Sequence, residues 1–92
     1  MATHFMLHQN YPNPFSNITA IEMEIKEAGF YTMSLYDLPG KKIANLFVNQ
    51  FLQTGVHKVT LDPDEYYLHE NIYYYSLTGQ GESQTKKLVF LR

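Results

Sequence analysis

Ile72-Tyr73-Tyr74-Tyr75-Ser76-Leu77-Thr78, followed by Gly79-Gln80-Gly81-Glu82, is the stretch on which the fold turns. Residues that suit a pleated, half-buried surface dominate the run. Period two places Tyr73, Tyr75 and Leu77 on one face and Ile72, Tyr74, Ser76 and Thr78 on the other. Both faces are apolar enough for a central strand. The glycine-rich turn then leads into a final alternating segment, Lys86-Lys87-Leu88-Val89-Phe90-Leu91-Arg92. So short a connection makes the two segments antiparallel neighbours. A chain that stops on a strand is either tied into a sheet or offered to a partner.

The same rhythm extends towards the N-terminus. Within Ile18 to Ile25, Thr19, Ile21, Met23 and Ile25 share one face, and Glu22 and Glu24 wet the other. Ala28-Gly29 turns the chain into Tyr31 to Asp37, where Tyr31, Met33 and Leu35 point inward while Thr32, Ser34 and Tyr36 point away. Leu38-Pro39-Gly40-Lys41 reads as a tight turn with proline at its first central position. Lys42 to Leu52 fits no single period and reads as a short strand followed by an irregular connection. Thr54-Gly55 reopens a strand, Val56 to Asp62, with His57, Val59 and Leu61 together. Asp62-Pro63-Asp64-Glu65 is a turn, and Tyr66-Tyr67-Leu68 a loop whose aromatics cover one end of the core. Alternation interrupted by turn residues every eight to twelve positions predicts an all-β, antiparallel β-sandwich of about seven strands.

Composition bounds the rest. With 92 residues the chain is one domain with a modest core and little room for a deep catalytic cavity. Eight tyrosines and six phenylalanines, with no tryptophan or cysteine, assign cohesion to aromatic packing and hydrogen bonds. A thiolate metal site and thiol chemistry are excluded. A formal net charge of -2 supplies no pull towards nucleic acid or an anionic membrane. No apolar run reaches the roughly 20 residues that span a bilayer. Met1-Ala2 reads as an expression start, residues 1–6 as expression or linker residues, and residues 7–92 as the domain.

Four histidines, His4, His8, His57 and His69, lack the spacing of a metal site, and His4 and His8 fall in a mobile lead-in. His57 is a core-edge imidazole hydrogen-bonded to backbone, with no predictable carboxylate or nucleophile beside it. Asp62, Asp64 and Glu65 lack the glycine and even ligand spacing of a calcium loop and read as a solvated turn. Tyr31, Tyr36, Tyr66, Tyr67 and Tyr74 would stack a sugar ring if they shared a face, but strand parity separates them. Catalytic residues, metals and cofactors are therefore all assigned as none.

The lead-in Leu7-His8-Gln9-Asn10-Tyr11-Pro12-Asn13-Pro14-Phe15 combines prolines that forbid helix with aromatics that ask for burial. It resembles the opening of the type A C-terminal sorting domain of the type IX secretion system of Bacteroidota. Leu35-Tyr36-Asp37-Leu38-Pro39-Gly40-Lys41-Lys42-Ile43, Thr54-Gly55-Val56-His57-Lys58-Val59, Ile72 to Leu77 and Lys86 to Arg92 resemble further segments of that family, in the same order. Two departures stand out. Glu70-Asn71 replaces a pair ending in glycine, which calls on Asn71 to take a left-handed conformation, and Leu61-Asp62 replaces Trp-Asp, which leaves space for Tyr66 and Tyr67 to fill.

The resemblance implies an immunoglobulin-like sandwich that is not an enzyme. It implies a secretion and sorting signal that directs a covalently linked upstream cargo through the periplasm and across the outer membrane, for release or surface attachment. The implied partners are the outer-membrane secretion machinery and a sorting peptidase. The alternative is an accessory spacer or carbohydrate-binding module of a secreted hydrolase. Candidate recognition residues are Asn10, Tyr11, Pro12, Asn13, Pro14 and Phe15 of the lead-in, Asp37 and Gly40 of the turn, and Lys86, Lys87 and Arg92 of the last strand. An exposed last strand would also accept a partner strand.

Overall fold

The computed structural model describes residues 3–92, so the reading of Met1-Ala2 lies outside the described residues. The chain forms β1 (Phe5–Leu7), β2 (Thr19–Ile25), β3 (Gly29–Asp37), β4 (Lys42–Leu52), β5 (Gly55–Leu61), β6 (Asn71–Gly79) and β7 (Glu82–Phe90). All paired strands are antiparallel. They form a three-stranded sheet in the order β1-β2-β5 and a four-stranded sheet in the order β4-β3-β6-β7. The all-β sandwich expected from alternation is the fold observed.

The alternating faces meet in one core. Ile21, Met23 and Ile25 of β2 and Phe5 and Leu7 of β1 face Tyr31, Met33 and Leu35 of β3, Tyr73, Tyr75 and Leu77 of β6, and Leu88 and Phe90 of β7. β6 is central, paired on both sides, as two apolar faces demand. The hairpin into β7 closes on the Gly79–Glu82 pair, with Gln80 and Gly81 both at positive φ. That is the two-residue turn whose twist matches its strands, and Gly81 takes the left-handed position without a side-chain penalty.

Several expectations are corrected. Lys42 to Leu52 is one long strand. Its period is hidden because register with β3 shifts at three places and Asn49 is left-handed. The turn before it lies one residue earlier than expected: Gly40 N donates to Asp37 O at 2.9 Å, so Leu38 and Pro39 are its central residues. Ser34 keeps the outward parity expected of it but is covered there. It is buried, opposite Ser76, with its hydroxyl bonded to Asn45 Oδ1 at 2.7 Å. Asn71 has no left-handed backbone; that conformation falls on Tyr67, in the preceding loop. Tyr66 and Leu68 pack on the core, but Tyr67 is 88% exposed and fills nothing.

The N-terminal boundary also moves. Phe5 is buried with its ring edge-on to Tyr31 at 5.5 Å, and Met6 lies within β1, so the sandwich includes residues assigned to a linker. His4 is held rather than mobile. Its N–H donates to Glu82 Oε1 at 2.9 Å, its Nδ1 lies 3.1 Å from the same oxygen, and its Nε2 lies 3.5 Å from Glu27.

Candidate recognition surface

Sheet register gathers distant segments at one end of the sandwich. β3 ends at Asp37, which pairs with Tyr73 near the start of β6, and β6 begins at Asn71, which pairs with Phe90 at the end of β7. β2 begins at the same end, where Thr19 pairs with Leu61 of β5. The lead-in, the Asp37–Gly40 turn, the loop between β5 and β6, and Arg92 therefore share this end.

The lead-in is ordered by its polar atoms. Tyr11 and Ala20 exchange both main-chain hydrogen bonds, at 2.9 and 3.0 Å. Asn10 is buried, and its Nδ2 donates to Pro12 O and to Thr19 Oγ1, both at 3.1 Å. The Thr19 hydroxyl donates in turn to Pro12 O at 2.8 Å. These bonds fold the segment back on itself and satisfy groups that a sheet would otherwise have satisfied. The Tyr11-Pro12 and Asn13-Pro14 peptide bonds are cis. From beneath, the Tyr75 hydroxyl donates to His8 O at 2.6 Å. Burial pushes the Tyr75 hydroxyl up to about 12, against an opposing contribution from the Asn10 main chain.

The far end of the lead-in is fastened to β7. Phe15 N donates to Val89 O, and Leu91 N donates to Phe15 O, both at 2.9 Å. Asn13 Oδ1 accepts from Val89 N at 2.9 Å, and Gln9 Nε2 donates to Lys87 O at 2.6 Å. The C-terminal half of the last strand is thus covered by the lead-in, which corrects its reading as an open edge. Phe15 and Asn10 are structural anchors; Tyr11, Pro12, Asn13 and Pro14 are the exposed crest between them.

The three cations of the terminal segment do not form one patch. Lys86 lies opposite Tyr75 on the inward parity and is half-buried, whereas Lys87 lies opposite Tyr74 on the outer face. Arg92 turns back over the Phe90 ring, 5.0 Å from its centroid. Its Nη1 donates to Asp64 Oδ1 at 2.6 Å, and its Nε donates to Ser16 O at 3.3 Å. The hydrogen bond to the Asp64 carboxylate raises the Arg92 pKa. Sequence reading missed Asp64 as the partner of Arg92, and no local signal joins residues so far apart. At the Asp37 turn, Oδ1 accepts from Lys41 N at 2.7 Å, which gives that carboxylate a turn-closing role.

A family model described as the secretion system C-terminal sorting domain matches residues 9–91. The chain belongs to that family. No curated protein matches it. The sorting domain is a C-terminal secretion signal of the type IX system, and the resemblance drawn from its motifs is the family shown. The match spans the anchored lead-in and the strand it covers, so the sorting domain's two terminal motifs are one structural unit in space.

His57 and the tyrosines complete the survey. His57 Nε2 donates to Gln53 O at 2.7 Å, the backbone bond expected of it. Tyr31 is buried with its hydroxyl on Glu27 O at 2.6 Å. Tyr36 and Tyr74 are neighbours on the outer face of the four-stranded sheet, while Tyr66 packs on the core and Tyr67 lies on the loop. The five tyrosines considered for sugar stacking do not share a face.

Proposed function

We propose that the outer-membrane secretion machinery reads the end surface formed by the Tyr11–Pro14 crest, the Asp37–Gly40 turn and the Arg92–Asp64 corner. The cargo lies upstream on the same polypeptide and passes through the periplasm to be released or attached at the surface, with a sorting peptidase as a second partner. The sorting domain acts by being recognised and carries no turnover of its own. The observation that carries this reading is the fastening of the crest to β7 through Asn13, Phe15 and Val89: the family's two terminal motifs are presented together. Tyr11, 82% exposed on that crest, makes no side-chain hydrogen bond among the described residues and is free to meet a receptor.

The test is export of a reporter. The full chain is fused behind an inert reporter carrying an inner-membrane leader, in a bacterium with a type IX system. The intact fusion reaches the medium or surface. Tyr11→Ser, checked for folding by circular dichroism, leaves the reporter in the periplasm, and Arg92→Asp does the same unless Asp64→Arg is added. Unchanged export by both single variants would remove the recognition role from this end. Removal of Lys86 to Arg92 is a poorer probe, because it also withdraws Leu88 and Phe90 from the core.

A further inference from the structure

The sandwich has four sheet edges, and three carry devices that block pairing. At β1, Leu7 N donates to Gln84 Oε1 and Gln84 Nε2 donates to Phe5 O, both at 2.8 Å, so one side chain caps the edge. At β7 the lead-in occupies Val89 and the carbonyl of Lys87, so that only the short stretch at Ser83 and Thr85 lies outside its cover. At β4 the register is broken by irregularities, and the left-handed Asn49 turns its N–H to Thr32 Oγ1 at 3.0 Å. Bulges, caps and covering segments are how sheets avoid unwanted strand addition.

β5 carries no bulge, cap or covering segment, and its one guard is the charge of Lys58. It pairs with β2 one-to-one from Gly55 to Leu61 without a shift. The bonds of Tyr11 with Ala20 and of His8 with Glu22 show that the even-numbered residues of β2 direct their main chain to the other side. Alternation then points Thr19, Ile21, Met23 and Ile25 at β5, where their partners are Leu61, Val59, His57 and Gly55. The amides and carbonyls of Val56, Lys58 and Thr60 are left facing outward, with no hydrogen-bond partner among the described residues. Beside this edge, between β5 and β4, is an open cleft of about 140 Å³ whose apolar wall is Met23, Phe47, Leu52 and Val59 and whose polar rim is Gln50, His57 and Lys58. A cavity of roughly 150 Å³ holds a benzene-sized group. The bond from His57 to Gln53 O folds its imidazole back towards the loop.

We propose that β5 is a docking edge for an extended segment of another polypeptide, which adds to the sheet with an acidic residue opposite Lys58 and apolar residues on either side of it. Main-chain bonds to Val56, Lys58 and Thr60 supply the pairing, and the apolar residues, on the inward parity, enter the cleft. Lys58 selects the partner. Its cross-strand neighbour within the domain is Glu22, and an acid on the new strand continues that pairing of opposite charges. A second copy of this chain is disfavoured, because antiparallel pairing of β5 with itself in full register sets Lys58 against Lys58.

The probe is the acetylated, amidated peptide Ser-Thr-Leu-Glu-Leu-Thr-Ser, titrated into the isotopically labelled 92-residue chain. Saturable amide shifts centred on Val56, Lys58 and Thr60 are the expected result. Lys58→Glu weakens binding of this peptide by about tenfold, and replacing the peptide's glutamate by lysine restores it, a rescue that loss of packing cannot mimic. Thr60→Pro removes one outward N–H at an edge position that tolerates proline, and it abolishes binding. Shifts centred on Ser83 and Thr85, no saturation, equal binding by the Lys58→Glu chain, or dimerisation of the chain through β5 would each overturn this assignment.

Discussion

The rings of Phe15 and Phe90 are stacked, with centroids 5.1 Å apart and planes 26° from parallel, and main-chain bonds run on both sides of the pair. This contact joins the segment before the first long strand to the end of the last one. Both rings are buried, so the surface that carries the crest is bound to the core itself.

Phe15→Ala therefore costs on the order of 3 to 5 kcal/mol in urea denaturation, because it empties a buried aromatic site and frees the lead-in from β7. Tyr11→Ala, four residues away on the exposed crest, changes stability by no more than about 0.5 kcal/mol. Equal losses would mean that the crest packs against the sandwich.

Tyr75→Phe removes the hydroxyl bound to His8 O and costs about 1 to 3 kcal/mol near neutrality, since a half-covered carbonyl loses its donor. The alkaline limb tests the same group. Its folded pKa, raised by burial to about 12 from 10.0, means its stabilisation is complete below about pH 10 and is lost as pH rises through the folded value. Tyr31 and Tyr66 are also shifted upward, chiefly by burial. The chain with Tyr75→Phe should therefore lose less stability than the parent between those pH values and still show a residual decline.

Glu82 contributes to the acid limb. The His4 main-chain N–H, and then the Gln84 side chain, hold its carboxyl below the usual value. Stability from this group is present above the unfolded pKa of 4.5 and is lost as pH falls through the lower folded value. Glu82→Gln should flatten that part of the profile, and amide exchange at His4 should accelerate in the variant.

Gly79→Ala tests how closely the hairpin approaches β3. A Cβ there would clash with Tyr31 Cδ1 and stand 2.8 Å from Phe30 O. The Tyr31 ring is buried and tethered through its hydroxyl to Glu27 O, so it cannot step aside. A loss of about 1 to 3 kcal/mol is expected in a denaturation series. An unchanged midpoint would show that the ring has a second packed position.

The period-two pattern was legible wherever a strand stays in register. Ile21, Met23 and Ile25, like Tyr73, Tyr75 and Leu77, are buried on the faces their alternation assigns, because side-chain direction in a strand is a local property. Lys42 to Leu52 was not legible, since each register shift exchanges the inward and outward sets and averages the period away. Ser34 lies on the face its parity assigns, and its burial there has a different reason. A small hydroxyl between larger neighbours is covered by them, whichever face it occupies.

From the sequence alone came the strand composition, the turn chemistry of Gly79 to Glu82 and the run of motifs that places the chain in the sorting-domain family. Only the tertiary structure decided that Asn13 and Phe15 close the C-terminal half of the β7 edge, that Arg92 leaves Lys86 and Lys87 to bind Asp64, and that β5 is left without a bulge, cap or covering segment. Alternation and turns are set by neighbours along the chain. Which edges meet depends on contacts between residues up to 79 positions apart, as with Phe5 and Gln84, and on the single packed arrangement that buries both sheets' apolar faces at once.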